Sequence, residues 1–424
     1  QAIMYAIMNE QPEPITGLRT GVPVDLDRII NKLLAKDSSK RFQHADELIV
    51  DLKKVKQDSE PEKIPLKKKT KPEKIYKIPR RFLTIAGMLI LLVMGFLLLK
   101  PLLFEPDVVV EPKPIVVTSF ENQTGDKTYD YLQKAIPNLL ITSLEQSPYF
   151  QVMTWEQMTD ILRQMGKGQV EFIDKNAGFE LCRREGINVI VLGSYVKAGD
   201  IFVTDAKVLD VETKGLLKSV STKGKGVGSI LESQIDDLSQ GISRGIGLSE
   251  RKIEKSRTKI TDVTTTSLEA YRNFLIGKEY YQKYYREEAY LYFKKATEID
   301  PMFAVAYLYL GYVYDWMGNV QMSNTYYTRA KQHSDKATEK ERLYIMAAYT
   351  RNIERNPGKR YKILKQIART YPKEKRAHVF FGNHYNNQCL YDKAIVAFNQ
   401  ALKLDPQDRS ALEGLANTHL NIKD

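Results

Sequence analysis

Residues 277–301 read Gly277-Lys-Glu-Tyr-Tyr-Gln-Lys-Tyr-Tyr-Arg-Glu-Glu-Ala-Tyr-Leu-Tyr-Phe-Lys-Lys-Ala-Thr-Glu-Ile-Asp-Pro301, and their landmarks return at fixed spacing. Gly277, Tyr280, Ala289, Phe293, Ala296 and Pro301 recur 34 residues later as Gly311, Tyr314, Ser323, Tyr327, Ala330 and Asp335, and again as Gly382, Tyr385, Ala394, Phe398, Ala401 and Pro406. Such a period predicts stacked helix pairs. Small residues let two helices approach, aromatics fill the gap between them, and each pair buries its apolar face only against its neighbours. Residues 338–372 have the right length but weak landmarks, with Ala348 where glycine is usual, which leaves either a degenerate repeat or an irregular connection. Residues 409–424 begin a further repeat. Of the 25 tyrosines, 13 fall between Tyr271 and Tyr327, a density that reads as packing between repeats with a few rings left for a concave face.

The 34-residue period and its glycine, alanine and proline positions identify residues 268–424 as resembling tetratricopeptide repeats, an α-α superhelix. The resemblance implies a protein or peptide partner lying along the groove.

Ahead of the repeats, residues 108–250 alternate between two periodicities, which predicts an α/β module. Strands are expected over 114–120, 150–153, 188–196, 201–209 and 215–221, with helices over 128–146, 155–165, 175–185 and 229–246. Val116-Val-Thr-Ser-Phe-Glu-Asn, the helix after it, and Gly186-Ile-Asn-Val-Ile-Val-Leu-Gly-Ser-Tyr together resemble the TolB N-terminal-like domain. That family implies an interaction or assembly module, not an enzyme. The module has no histidine and one cysteine, so the raw materials of metal and nucleophilic sites are missing. Lys223-Gly-Lys-Gly-Val-Gly-Ser reads as a flexible turn between strand and helix, since it lacks both the Walker lysine and the G-x-G-x-x-G spacing. Trp155, opening a helix directly after a strand, is expected in the core.

Residues 82–99 carry no charge, and a membrane-spanning helix is expected over 82–104. Its two flanks differ: 12 Lys or Arg against 4 acids between Lys53 and Arg81, two Lys and three acids between Lys100 and Lys113. This asymmetry predicts a cytoplasmic N-terminus and an extracytoplasmic C-terminus, with the basic, proline-rich linker 57–81 lying against membrane lipid. The linker region holds most of the net charge of +12, so nucleic acid is not implied.

Residues 1–56 suggest three short helices, near 1–9, 24–34 and from His44 onward, too few for an independent core. Val22-Pro-Val-Asp-Leu-Asp-Arg-Ile-Ile-Asn-Lys-Leu-Leu-Ala-Lys-Asp-Ser-Ser-Lys-Arg-Phe-Gln, followed by Ala45-Asp-Glu-Leu, resembles the last helices of the C-lobe of bacterial serine/threonine protein kinases. The resemblance gives Arg41 a buried ion pair with an upstream glutamate and gives Asp37 a capping role, both structural. ATP and Mg are implied for a full-length kinase only, because the family's catalytic and metal-binding residues precede this stretch and none maps here.

The chain therefore reads as a multidomain α and α/β protein: truncated kinase C-lobe helices, one transmembrane helix, an α/β module and a repeat superhelix. A Gln at residue 1 and a stop at Asp424 partway through a repeat suggest a fragment. Catalytic, cofactor-binding and metal residues are expected to be none, and Cys182 and Cys389 are expected unpaired. His44 is assigned no role, and His333, His378, His384 and His419 lack metal-ligand spacing. The expected function is the C-terminal portion of a membrane-anchored kinase whose outer domains bind a protein and bring two copies together as a homodimer. A non-catalytic membrane scaffold is the alternative.

Overall fold

The computed structural model describes residue 15 and residues 24–35, 37, 40–58, 112–168 and 170–423. The chain divides into two units, residues 1–106 and 107–424. In the first unit, α1 (Val24–Leu33) has Asp25 and Asp27 in its first turn and Lys32 in its last, the order that complements the helix dipole. Helix α2 (Ala45–Asp58) follows. Ile29 is buried, while Leu34, Ile49 and Leu52 remain 50%, 46% and 42% exposed. Arg41 is exposed and its Nε donates to the Ala35 carbonyl at 2.8 Å. The helix expected over 1–9 and the span expected over 82–104 lie outside the described residues.

The second unit begins with a mixed sheet. Its strands are β1 (Lys113–Asn122), β2 (Phe150–Val152), β3 (Val189–Ala198), β4 (Ile201–Asp210) and β5 (Leu216–Lys225), in the order β2-β1-β3-β4-β5. β1 runs parallel to β2 and β3, while β3–β4 and β4–β5 are antiparallel. Parallel neighbours need crossovers, and α3 (Leu132–Glu145), α4 (Trp155–Gln164) and α5 (Lys175–Glu185) supply them. Residues 115–120 of β1 are buried without a break, so both faces of this strand are covered. Thr154 and Gln157 form a reciprocal capping box that starts α4, and Asp174 caps α5. After β5, α6 (Ile235–Gly245) packs on the sheet and α7 (Glu250–Lys255) leads away.

The glycine-rich stretch differs from expectation. β5 continues to Lys225, so Lys223-Gly-Lys lies in the strand and the turn is confined to residues 226–228, with Gly226 at φ +73°. Gly224 is needed because a Cβ there would come within 2.4 Å of Ser229.

The repeats form antiparallel helix pairs: α8 (Leu268–Gln282) with α9 (Arg286–Ile299), α10 (Ala304–Trp316) with α11 (Val320–Gln332), α12 (Glu339–Asn352) with α13 (Pro357–Thr370), and α14 (Lys375–Asn386) with α15 (Tyr391–Leu404). Helix α16 (Arg409–Lys423) packs on α15. Residues 338–372 are thus a regular helix pair: Thr338 and Glu341 form a capping box for α12, and Asn356 caps α13 ahead of Pro357. The repeat glycines answer to aromatics. A Cβ at Gly311 would stand 2.3 Å from the Tyr327 ring, and Phe398 lies between Gly382 and Gly414 at 2.4 and 2.3 Å.

The expectation of a single-pass membrane protein with an extracytoplasmic C-terminus is corrected: among the described residues no helix is long and apolar enough to cross a membrane. The longest, α8 and α16, have 15 residues. At 1.5 Å per residue such a helix rises about 22 Å, short of a hydrocarbon core of about 30 Å.

Gly311→Ala is expected to lower stability by about 1–3 kcal/mol through overpacking against Tyr327. Gly358→Ala, whose nearest neighbour is 3.7 Å away, is expected to be neutral or slightly stabilising. Urea unfolding of both variants checks the difference in sign.

Candidate functional site

Helix α4 has two faces. Trp155, Met158 and Leu162 are buried in the α/β core, in keeping with the expectation for Trp155. Glu156, Asp160 and Arg163 recur at the i, i+4, i+7 spacing of the other face, and all three meet the repeats. Lys278 of α8 pairs with Glu156, and Lys375 at the start of α14 holds Asp160 at 2.6 Å. Arg163 reaches Asp405, after α15, with Nη2 at 3.0 and 3.2 Å from the two carboxylate oxygens. Lys375 also contacts Asp405 at 2.6 Å and Asp408 at 3.3 Å, so one ammonium joins three carboxylates. Gln157 adds a bond from its Nε2 to the Lys373 carbonyl at 2.9 Å.

Helix α3 does the same along its own outer stripe. Lys134 pairs with Glu279 of α8, and Glu145 receives Lys340 of α12 at 3.0 and 3.1 Å. Just before α3, the Tyr131 ring lies 4.7 Å from the Arg272 guanidinium. Underneath these polar contacts one apolar core runs without interruption from Ile115 of β1 to Ala377 of α14. The first helices of three repeat pairs, α8, α12 and α14, therefore face α3 and α4 of the same chain. The array also curls back on itself, with Arg409 at the start of α16 lying 4.1 Å from the Tyr284 ring between α8 and α9.

Charge and burial oppose each other here. Burial raises the Glu156 carboxyl, but the Lys278 ammonium beside it outweighs this and holds it at about 2. At Glu145 and Asp160 burial prevails over Lys340 and Lys375, and both carboxyls sit above their ordinary values. Burial disfavours the charged form of Lys278, Lys340 and Lys375 as well, yet the facing carboxylates keep all three protonated more tightly than usual.

Behind this wall Arg376 has no ion pair among the described residues and sits instead among rings, 4.7 Å from Tyr312, 5.1 Å from Tyr344, and 5.4 Å from both Tyr309 and Phe380. Its Nη1 donates to the Tyr309 hydroxyl at 3.3 Å. The dense tyrosines are thus a packing medium that also solvates a cation.

The sequence nominated no catalytic residue. His333 stacks on Tyr307, and buried His384 meets Gln388 at 3.3 Å. Among the described residues no three metal-ligating side chains converge. Cys182 is buried and Cys389 exposed, both free. Shallow hollows of about 430 and 510 Å³ lie on the outer helices α11 and α15, and both are open to solvent. The charged stripes of α3 and α4, including the i, i+4 carboxylates Glu156 and Asp160, were not singled out in the sequence, where nothing distinguishes a solvated stripe from a buried one.

A tetratricopeptide repeat model matches residues 270–301 and 376–408. Among solved structures the chain is similar to YrrB, a TPR protein with an unusual peptide-binding site, at 19% identity over 36% of this chain and 78% of that one, with a TM-score of 0.24. It is also similar to the LpoB C-terminal domain from Salmonella enterica, at 16% identity over 30% and 93% with a TM-score of 0.22. A third likeness is to a thermophilic TPR protein of Thermus thermophilus, at 18% identity over 36% and 82% with a TM-score of 0.27. No curated protein sequence matches this chain.

Lys340→Met is expected to cost about 2–4 kcal/mol, because it leaves Glu145 buried without its partner, and Glu145→Leu in the same protein is expected to recover most of that loss. Denaturant unfolding of the single and double variants measures both. The Glu156 pair makes a pH prediction. Its folded value lies below the ordinary 4.5, so its stabilisation is complete above pH 4.5 and is lost as pH falls toward about 2. The stability gap between the unaltered protein and Glu156→Gln is expected to close over that window.

Proposed function

We propose that this chain is a protein–protein interaction scaffold in which the repeats and the α/β module act as one recognition body. The observation that carries this reading is the pairing of the charged face of α4 with Lys278, Lys375 and Asp405 of the repeats, in the manner of a helical ligand held by its charged face. A groove filled from within the chain leaves two ways to engage a partner: displacement of α4, or docking on surfaces that the combined body presents. The repeats then serve first to hold the module. Nothing in this reading calls for a cofactor.

A finer reading for the first unit is that it forms the tail of a serine/threonine kinase lobe. The helices α1 and α2 and the turn between them support it, as do the uncovered Leu34, Ile49 and Leu52, which suit a piece that leans on a larger body. Reading the coding sequence ahead of Gln1 for a glycine-rich loop, a strand lysine and two catalytic aspartates tests it. Their absence removes the kinase and leaves the scaffold.

The groove reading has its own test. A protein carrying Glu156→Gln, Asp160→Asn and Arg163→Gln is expected to bind an added, labelled peptide of residues 153–166, while the unaltered protein does not, as followed by fluorescence anisotropy. Equal binding to both proteins would contradict it.

A further inference from the structure

Strand β5 is the edge of the sheet, paired on one side only, by β4. The Gly226 N–H donates to the Asp200 carbonyl at 2.7 Å, which fixes the phase of the ladder between the two strands. In an antiparallel pair, hydrogen-bonded partners recur every second residue. Residues 218, 220, 222 and 224 therefore share the bonded phase with Gly226. The main-chain N–H and C=O groups of Ser219, Ser221, Lys223 and Lys225 face away from β4, and among the described residues they bond to nothing. Four consecutive outward positions make an open template for another strand.

The side chains on this edge have a clear division. The Val220 side chain faces α6, where a Cβ on Gly241 would stand 2.5 Å from it, and Gly224 faces Ser229. Ser219, Ser221, Lys223 and Lys225 are exposed on the opposite face, beside Lys207, Asp205 and Val203 of β4. Lys207, Lys223 and Lys225 have no ion pair among the described residues, and Asp205 is the one acid that shares their strip on β4 and β5. At the start of β5, Leu216 and Leu217 are 59% and 46% exposed.

We propose that the β5 edge is a docking site for an extended, acidic segment of a partner protein, added to the sheet as a sixth strand. The main chain of Ser219 to Lys225 supplies the hydrogen bonds. Lys207, Lys223 and Lys225 select acidic side chains at alternate positions, and Leu216 and Leu217 favour an apolar residue at the far end. The proposal deepens the scaffold reading by naming its surface and its class of partner. It is independent of whether α4 can be displaced, because α4 and β5 are separate tests. Edge lysines also deter unwanted strand pairing, and the same charges that repel a second copy of β5 attract an acidic strand.

The test uses the full chain and a labelled ten-residue peptide of alternating Val and Glu, with a Val and Lys peptide as its counterpart. Binding of the Glu peptide, with a preference of at least ten-fold over the Lys peptide, is expected. Ser221→Pro removes an outward N–H without touching the β4 ladder and is expected to weaken binding at least five-fold. Lys223→Glu with Lys225→Glu is expected to reverse the preference. Circular dichroism checks that both variants keep the fold. Binding that ignores Ser221→Pro would be charge attraction without strand addition and would overturn the proposal. So would self-association of the unaltered chain that Ser221→Pro abolishes, since the edge would then belong to a second copy.

Discussion

A carboxylate and an ammonium withdrawn from water are stable only in each other's company, and this structure places several such pairs along a single seam. Glu145 with Lys340, Glu156 with Lys278, and the cluster of Asp160, Arg163, Lys375, Asp405 and Asp408 all join the α/β module to the repeats. Breaking the seam would open the apolar core that module and repeats share and strand these charges without partners. The position of α3 and α4 against the repeats follows from that constraint.

The seam also decides what the repeats have left to offer. A helical array whose first helices already engage α3 and α4 has less of that face to offer, so recognition shifts to displacement or to the outer and edge surfaces. The β5 edge is one such surface, paired on one side only. Arg376 shows a parallel economy inside the array, where four aromatic rings stand in for a carboxylate.

Much of the fold could be read from the sequence. The glycine and aromatic landmarks marked the helix pairs because a Cβ at Gly311 or Gly382 collides with Tyr327 or Phe398, a local steric rule that leaves its trace in composition. The strand and helix alternation was equally local. Residues 338–372 were ambiguous because Ala348 replaces the glycine, although the capping residues Thr338, Glu341 and Asn356 already marked two helix starts. The length of β5 was misjudged because glycines suggested a loop where Gly224 instead makes room for Ser229. The seam was not legible. Glu156, Asp160 and Arg163 at helical spacing look the same whether they face water or lysines contributed more than a hundred residues away.

The chain has two tryptophans, and they fall on opposite sides of the seam: Trp155 opens α4 and Trp316 closes α10. Single-tryptophan proteins, Trp155→Phe and Trp316→Phe, therefore report the unfolding of the repeats and of the module separately. In denaturant titrations the two are expected to give one shared midpoint, moving together when Lys278→Met is added to each. Two well-separated transitions, or a shift confined to one tryptophan, would show that module and repeats fold as independent bodies and would contradict the account.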